Sequence, residues 1–189
     1  MEEIEINVEL FSTLEEAKNK LSQFNFIGEE KIMDVYFYDP NKLSSKPNNE
    51  KEIGESLRLR NINGKFKVSY KIDKYDETGK WLYSDNIEKE ITNVNETLKQ
   101  FNQSGLKEMF TIKNIRSHYK NDEFDIYVEN VENLGNFIEI EKHVLETEDI
   151  IKLKENMYSF VINLGLNISE VLKIGKPEMM LKALNIDIK

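Results

Sequence analysis

The chain has 189 residues, which is long enough for a single domain with its own hydrophobic core. It contains no cysteine, and this excludes disulfides, zinc–thiolate sites and a cysteine nucleophile. Its formal net charge of −9 argues against a nucleic-acid partner, because binding to a phosphate backbone requires an excess of Lys and Arg.

The sequence also lacks signals for membrane insertion or export. No apolar run approaches the roughly 18 residues that a membrane span requires. The first residues, MEEIE, have neither the basic region nor the apolar region of a signal peptide. We therefore expect no membrane partner and a cytoplasmic location.

The first third of the chain predicts two strands and a helix. Alternation of polar and apolar residues with period two predicts a strand over residues 3–10. A capping box formed by Ser12 and Glu15 predicts the start of a helix directly afterwards. A second strand is predicted over residues 33–38.

The middle of the chain predicts an antiparallel meander. Strands over residues 56–60 and 65–71 flank Asn63-Gly64, the strongest short signal for a β-hairpin. A further turn is predicted over residues 76–79, and it leads to a strand over residues 81–91.

The last part of the chain predicts more strands and three helices. The predicted helices cover residues 95–103 and 148–164 and a short segment from Pro177, and the predicted strands cover residues 108–119, 123–131 and 137–143. About eight strands joined mostly as a meander indicate a single α+β domain over residues 1–189. Its antiparallel sheet is either open or closed into a barrel.

Charged side chains recur at spacings of two or four on most of these strands, which places each set on one side of the sheet. The sets are Glu3, Glu5 and Glu9; Arg58 and Arg60; Lys67 and Lys71; Glu88 and Glu90; Asp125 and Glu129; and Glu139 and Glu141. A solvent-exposed face would explain them without further assumption. If the sheet closes, however, they line a polar interior in which carboxylates hold a divalent cation and Arg and Lys meet an oxygen-rich anion.

The motifs occur in a fixed order: Glu3-x-Glu5, Asp34-x-Tyr-Phe, Leu57-Arg-Leu-Arg60, Ser69-Tyr-Lys71, Glu88-x-Glu90, Arg116, and Leu134-Gly-x-Phe-Ile-Glu-Ile-Glu141. Together they resemble the CYTH family, or triphosphate tunnel metalloenzymes, which includes class IV adenylate cyclases and thiamine triphosphatases. The resemblance runs through nearly the whole chain. It implies an eight-stranded antiparallel β-barrel with helices packed outside, whose interior binds a triphosphate with Mg²⁺ or Mn²⁺.

The resemblance also implies roles for individual residues. The metal ligands would be Glu3, Glu5, Glu129, Glu139 and Glu141. The substrate-binding residues would be Arg58, Arg60, Lys67, Lys71 and Arg116. The catalytic group would be Glu3, Glu5, Lys71, Glu88 and Glu90. The expected activity is that of an adenylate cyclase or a triphosphatase, acting on ATP, thiamine triphosphate or tripolyphosphate, and a homodimer is left open.

Three departures from the family pattern support an alternative. Asn7 stands where the first motif usually has a lysine, and Asn114 stands where a lysine commonly precedes the arginine by two residues. The C-terminal segment IGKPEMML lacks the usual Ser-Tyr start. The lysine of the first motif is implicated in activating water in hydrolytic members. The alternative is therefore a nucleotide- or polyphosphate-binding protein with little turnover, in which Asn7→Lys would raise the rate.

Overall fold

The computed structural model describes residues 2–75, 77, 81–144 and 149–188. Its strands are β1 (Glu2–Glu9), β2 (Asn25–Tyr38), β3 (Glu55–Ile62), β4 (Lys65–Tyr75), β5 (Trp81–Ile91), β6 (Lys107–Lys120), β7 (Asp125–Val131) and β8 (Gly135–Val144). Its α-helices are α1 (Leu14–Leu21), α2 (Val94–Gln103), α3 (Ile150–Asn163) and α4 (Lys176–Ala183). The predicted turn over residues 76–79 lies almost wholly outside the described residues. None of the described helices combines the length and apolar character needed to cross a membrane.

All eight strands form one antiparallel sheet in the order β1-β8-β7-β6-β2-β3-β4-β5. The sheet curls until its two edge strands, β1 and β5, come into contact. Near this seam Nζ of Lys71 on β4 lies 3.6 Å from Oε1 of Glu3 on β1. The predicted fold class is therefore confirmed: the molecule is a curled, eight-stranded half-barrel with four helices.

Alternation along the strands separates the two faces of the sheet. On β1, for example, Ile4, Ile6 and Val8 are fully buried on the outer face, while Glu3 and Glu5 point into the half-barrel. The outer core consists of apolar side chains from β1, β7 and β8 packed beneath α1 and α3. Each large apolar side chain buried in this way contributes roughly 1.5–3 kcal/mol, so burial fixes which face points inward.

The fourth helix packs on the opposite side. Its Met180 and Leu181 join a second core with Tyr36, Phe110 and Phe137. Phe137 precedes Glu139 by two residues on β8, so this core lies on the inward face of the sheet. We expected all helices to pack outside the sheet. That is correct for α1 and α3, but α4 fills one end of the interior.

Several boundaries differ from the sequence predictions, among them the end of β4, which lies at Tyr75 and not at residue 71, and the starts of α1 and β2. The capping box of α1 is formed by Thr13 and Glu16, not by Ser12 and Glu15. Thr13 Oγ1 accepts from the Glu16 amide, and Ser12 Oγ instead accepts from the Asn167 amide at 3.0 Å. Strand β2 begins at Asn25, eight residues before the predicted start at 33, because its N-terminal half pairs with β6.

Candidate functional site

The interior of the half-barrel is lined by charged side chains, as the spacing of two predicts. The acidic residues are Glu3, Glu5, Glu30, Asp34, Glu88, Glu129, Glu139 and Glu141, and the basic residues are Arg58, Arg60, Lys67, Lys71, Arg116 and Lys176. Asp34, Arg58, Glu129 and Glu139 are buried. An unpaired charge is costly to bury, so the contacts of these groups show how the site is organised.

Three carboxylates converge where β1 meets β8. One carboxylate oxygen from each of Glu3, Glu5 and Glu141 lies within 4.8 Å of the others, and Glu5 stands opposite Glu141 in the strand register. Burial raises the pKa of Glu5. Burial, together with the charge of Glu139, raises the pKa of Glu141 well above its usual range. Clustered oxygen ligands of this kind suit a hard divalent cation such as Mg²⁺ or Mn²⁺, so the residues present fit the metal that the sequence analysis expects.

An arginine pair is fixed on β3. Arg60 donates from Nε and Nη2 to the two carboxylate oxygens of Asp34 at 2.7 and 2.6 Å. Arg58 donates from Nε to Ser69 Oγ at 2.9 Å, and its Nη1 lies 3.5 Å from Asp34 Oδ2. Burial opposes ionisation of Asp34, but Arg58 and Arg60 hold its pKa below the usual range. The two guanidinium groups are therefore held in defined positions by a buried carboxylate.

The wall formed by β4 and β5 carries the remaining predicted groups. Glu88 Oε1 lies 3.5 Å from Arg58 Nη2, and Glu88 Oε2 accepts from Lys67 Nζ at 3.4 Å. Lys71 contacts Glu3 across the seam. Although burial lowers the pKa of Lys71, the charge of Glu5 raises it above the usual value, so Lys71 is an ammonium. Glu90 is exposed on β5, and the structure does not bring it into the carboxylate cluster.

A second charged cluster lies beside the first and contains Lys176. Lys176 Nζ contacts Glu129 Oε2 and lies 2.7 Å from Glu139 Oε2. Arg116 Nη1 lies 4.0 Å from Glu129 and 3.9 Å from Glu139, while its Nε donates to Glu30 at 2.6 Å. Glu129 and Glu139, both predicted metal ligands, are thus held by cations in this structure.

Protonation in this cluster follows from burial and these contacts. Burial raises the pKa of Glu129. The pKa of Glu139 is lowered despite burial, by Lys176, by a hydrogen bond with Glu141 and by Arg116. Burial lowers the pKa of Lys176, but Glu129 and Glu139 outweigh it and raise that pKa above the usual value. Lys176 is therefore a buried cation stabilised by two carboxylates.

Sequence reasoning missed three of these groups: Lys176, Glu30 and the role of Asp34. Asp34 belongs to the motif Asp34-x-Tyr-Phe, but its contact with both arginines depends on the β2–β3 register. Glu30 precedes the predicted β2 strand and so received no face. Lys176 lies at the start of a helix, where the alternation that assigns faces to strand residues does not apply. The sequence offers only its position between Gly175 and Pro177, which marks a helix start and gives no direction for the side chain.

Comparison with known proteins shows the family of the chain. A family model for the CYTH domain matches residues 1–174. The chain belongs to the CYTH family. This CYTH protein is 30% identical over 190 residues to the Methanocaldococcus jannaschii protein named "Putative adenylate cyclase MJ0240", with 97% of this chain and 100% of the relative covered.

Solved structures of related proteins share the fold. The PH1819 protein of Pyrococcus horikoshii OT3 superposes on this CYTH protein with a TM-score of 0.79 at 27% identity, covering 95% of this chain and 98% of that chain. A Hippeastrum protein, named "Putative adenylyl cyclase HpAC1" and described as having a dominant triphosphatase activity, has a TM-score of 0.63 at 17% identity. That alignment covers 98% of this chain and 97% of the other, and at this identity it supports the fold alone.

Proposed function

We propose that this CYTH protein binds a triphosphate together with Mg²⁺ or Mn²⁺ inside the tunnel and converts it, as a class IV-type adenylate cyclase or as a triphosphatase. One observation carries the proposal. The carboxylate cluster of Glu3, Glu5 and Glu141 faces the same interior as the fixed arginine pair, and Lys71, on the strand paired with that of the arginines, contacts Glu3. A ligand that is both metal-bound and strongly anionic fits both sides of such an interior.

Acidic and basic residues would have different roles in this function. Glu3, Glu5 and Glu141 would hold the metal, which when bound supplies positive charge next to the phosphate oxygens. Arg58 and Arg60 can fork onto phosphate oxygens, and lysines act as point charges. In phosphoryl transfer, positioning and charge neutralisation provide most of the catalysis.

The remaining predicted residues complete the phosphate-binding wall. Lys67, Lys71 and Arg116 would add positive charge along the phosphate chain. Glu88 would act as a positioning residue, because it contacts both Arg58 and Lys67. Glu129 and Glu139 would support the cations that they contact, and Glu139 would additionally border the metal through its hydrogen bond with Glu141.

Two reactions fit one arrangement of residues. In a cyclase, the ribose 3′-oxygen of ATP attacks the α-phosphorus and pyrophosphate leaves. In a hydrolase, water attacks the terminal phosphorus, the bond to the bridging oxygen breaks, and the diphosphate part leaves, so that inorganic phosphate and a diphosphate are the products. The name of the M. jannaschii relative favours the cyclase, whereas the Hippeastrum protein with a dominant triphosphatase activity is similar to this chain in fold alone and does not decide between the two reactions.

Product analysis tests the proposal and separates the two reactions. The protein is incubated with ATP, thiamine triphosphate and tripolyphosphate, each with Mg²⁺, Mn²⁺ or a chelator. We expect metal-dependent release of cyclic AMP and pyrophosphate, or of phosphate, that Arg58→Ala abolishes and Lys89→Ala, on the outward face of β5, leaves unchanged. Binding of these compounds without any product would instead support the alternative.

The alternative is a binding protein with little turnover, and Asn7 favours it. Its amide carries no charge where the family pattern has a lysine. If the alternative holds, metal and triphosphate together raise the unfolding temperature, but no product forms. Asn7→Lys should then create measurable phosphate release from tripolyphosphate.

A further inference from the structure

Asn7 and Asn114 are the two amides that stand where the family pattern has lysines. Each of them lies beside one carboxylate of the second charged cluster. Asn7 stands opposite Glu139 in the β1–β8 register. Asn114 Nδ2 lies 3.4 Å from Glu129 Oε2. The Oδ1 atoms of both amides are buried and have no hydrogen-bond partner within the described chain. This part of the interior therefore contains two hydrogen-bond acceptors without a donor. Neither β1 nor position 114 of β6 provides a cation there.

Lys176 brings a cation to the same place from another element. Its ammonium contacts Glu129 and Glu139, the two carboxylates next to Asn114 and Asn7. Its position is anchored to β1, because the Leu172 amide donates to the backbone oxygen of Asn7 at 2.8 Å. Its side chain is only 13% exposed, so the charge is enclosed with the other charged groups of the interior.

Helix stability does not explain this placement. Lys176 is the first residue of α4, and a cation at a helix N-terminus is unfavourable because the helix dipole is positive there. The acidic residue of the same turn, Glu178, has the charge that suits a helix N-terminus, whereas Lys176 does not. The Lys176 ammonium is instead held in the interior by its contacts with Glu129 and Glu139.

We propose that Lys176 is an anion-binding residue of the tunnel that supplies, from α4, the positive charge that β1 and β6 lack at Asn7 and Asn114. This inference rests on the proposed function, because the anion is taken to be the phosphate chain of a triphosphate. Lys176 lies two residues beyond the region that the family model matches. In this chain the positive charge comes from α4, and it lies beside Glu129 and Glu139.

A charge-exchange experiment tests the inference. The variants are Lys176→Met, Lys176→Arg, Asn7→Lys and the double variant Asn7→Lys/Lys176→Met, with Lys182→Met as control because Lys182 is exposed on the same helix. Calorimetry measures the affinity for a non-hydrolysable tripolyphosphate analogue in the presence of Mg²⁺. Thermal unfolding without ligand measures the effect on the two carboxylates that Lys176 neutralises.

We expect Lys176→Met to weaken analogue binding by about tenfold or more, as loss of a charge-assisted contact does, and to lower the unfolding temperature. Lys176→Arg should retain most of the affinity, and Lys182→Met should change nothing. The double variant should recover both affinity and unfolding temperature, since a lysine at position 7 lies opposite Glu139. Asn7→Lys alone should help far less than it does when Lys176 is absent, because the two positions are coupled.

The outcomes separate this inference from the proposed function. If the native protein binds the analogue and Lys176→Met binds equally well, the inference is overturned and the proposed function stands. The inference is also overturned if the folded double variant recovers neither property. If no protein binds the analogue, the proposed function fails and the anion-binding role of Lys176 fails with it. The unfolding temperatures then report only whether position 7 can replace the ammonium in the free protein.

Discussion

Asp34 shows how one residue organises the phosphate-binding wall. It accepts two hydrogen bonds from Arg60 and lies 3.5 Å from Arg58. Two neighbouring guanidinium groups repel each other, and a buried carboxylate between them compensates for that repulsion. Its pKa is below the usual value of 3.8 because of the two arginines, although burial acts in the opposite direction.

Asp34→Asn should destabilise the fold, because removing one partner of a buried ion pair costs about 3 kcal/mol. A carboxyl whose pKa is depressed in the folded state stabilises the protein fully above its unfolded pKa, here near 3.8, and loses this contribution as the pH falls through the folded pKa. The difference between native and variant should therefore be large at neutral pH and shrink in acid. Urea unfolding at several pH values measures it, with the exposed Asp122→Asn as control. A difference that does not change with pH would contradict this role.

Removing the charge of Glu141 should have the opposite effect on stability from removing the charge of Asp34. In the metal-free protein Glu141 is a half-buried carboxyl whose pKa is raised by loss of solvent and by Glu139, so its charge contributes no stability. Glu141→Gln keeps the size of the side chain and can still donate a hydrogen bond to Glu139. We therefore expect an unfolding temperature equal to or above that of the native protein without metal.

The same variant should lose the increase in unfolding temperature that Mg²⁺ or Mn²⁺ produces, because a metal ligand is missing. Glu132→Gln, an exposed carboxylate near the same strand, serves as control and should keep the increase. A Glu141→Gln protein that responds fully to metal would place the metal elsewhere.

Among the helices and strands, α4 differs most from the sequence prediction, because it packs on the inward face of the sheet and not outside it. Its apolar residues predict that it packs against something, but not which face of the sheet it covers. Only the path of residues 167–172 along β1 brings it to the inward side, through bonds such as that from the Ser169 amide to the Glu9 oxygen at 3.0 Å.

Met180→Ala tests how firmly α4 is held. Met180 is 1% exposed in the inward core, and truncation of such a side chain to Ala typically costs about 2–5 kcal/mol. We expect the free energy of unfolding to fall by an amount in this range, measured by urea unfolding. Lys182→Ala on the exposed side of α4 should have little effect. An equally small effect of Met180→Ala would show that α4 is not packed in the interior.

Most strands with clean alternation were predictable from sequence to within two residues, although β4 ends four residues beyond the predicted residue 71. The predicted strand over residues 137–143 is β8 (Gly135–Val144), and Asn63 and Gly64 have the positive φ angles that the predicted hairpin requires. The N-terminal half of β2 was missed, since it is specified by pairing with β6 rather than by its own alternation. The local alternation of residues determines which face of the sheet a side chain occupies, whereas pairing with distant strands determines how long a strand is.

At the scale of the whole molecule, the curl of the sheet converts these faces into a site. Residues from β1, β3, β4 and β8, far apart in sequence, face one interior only because the edge strands β1 and β5 approach each other. The alternation of charges could be read from the sequence. The contact of Lys71 with Glu3 and the entry of Lys176 could not, because both depend on closure of the sheet and on the path of the chain after α3.

The central claim is that this interior binds a triphosphate together with a divalent metal. Its most direct test is calorimetric titration of the native protein, Arg58→Ala and Lys89→Ala with a non-hydrolysable tripolyphosphate analogue, with and without Mg²⁺. We predict saturable binding to the native protein that requires Mg²⁺. Arg58→Ala should weaken it by about tenfold or more, the equivalent of roughly 1.5–3 kcal/mol for contacts to a charged group, and Lys89→Ala should leave it unchanged. Absence of binding to the native protein, or equal affinity in a folded Arg58→Ala variant, would contradict the claim.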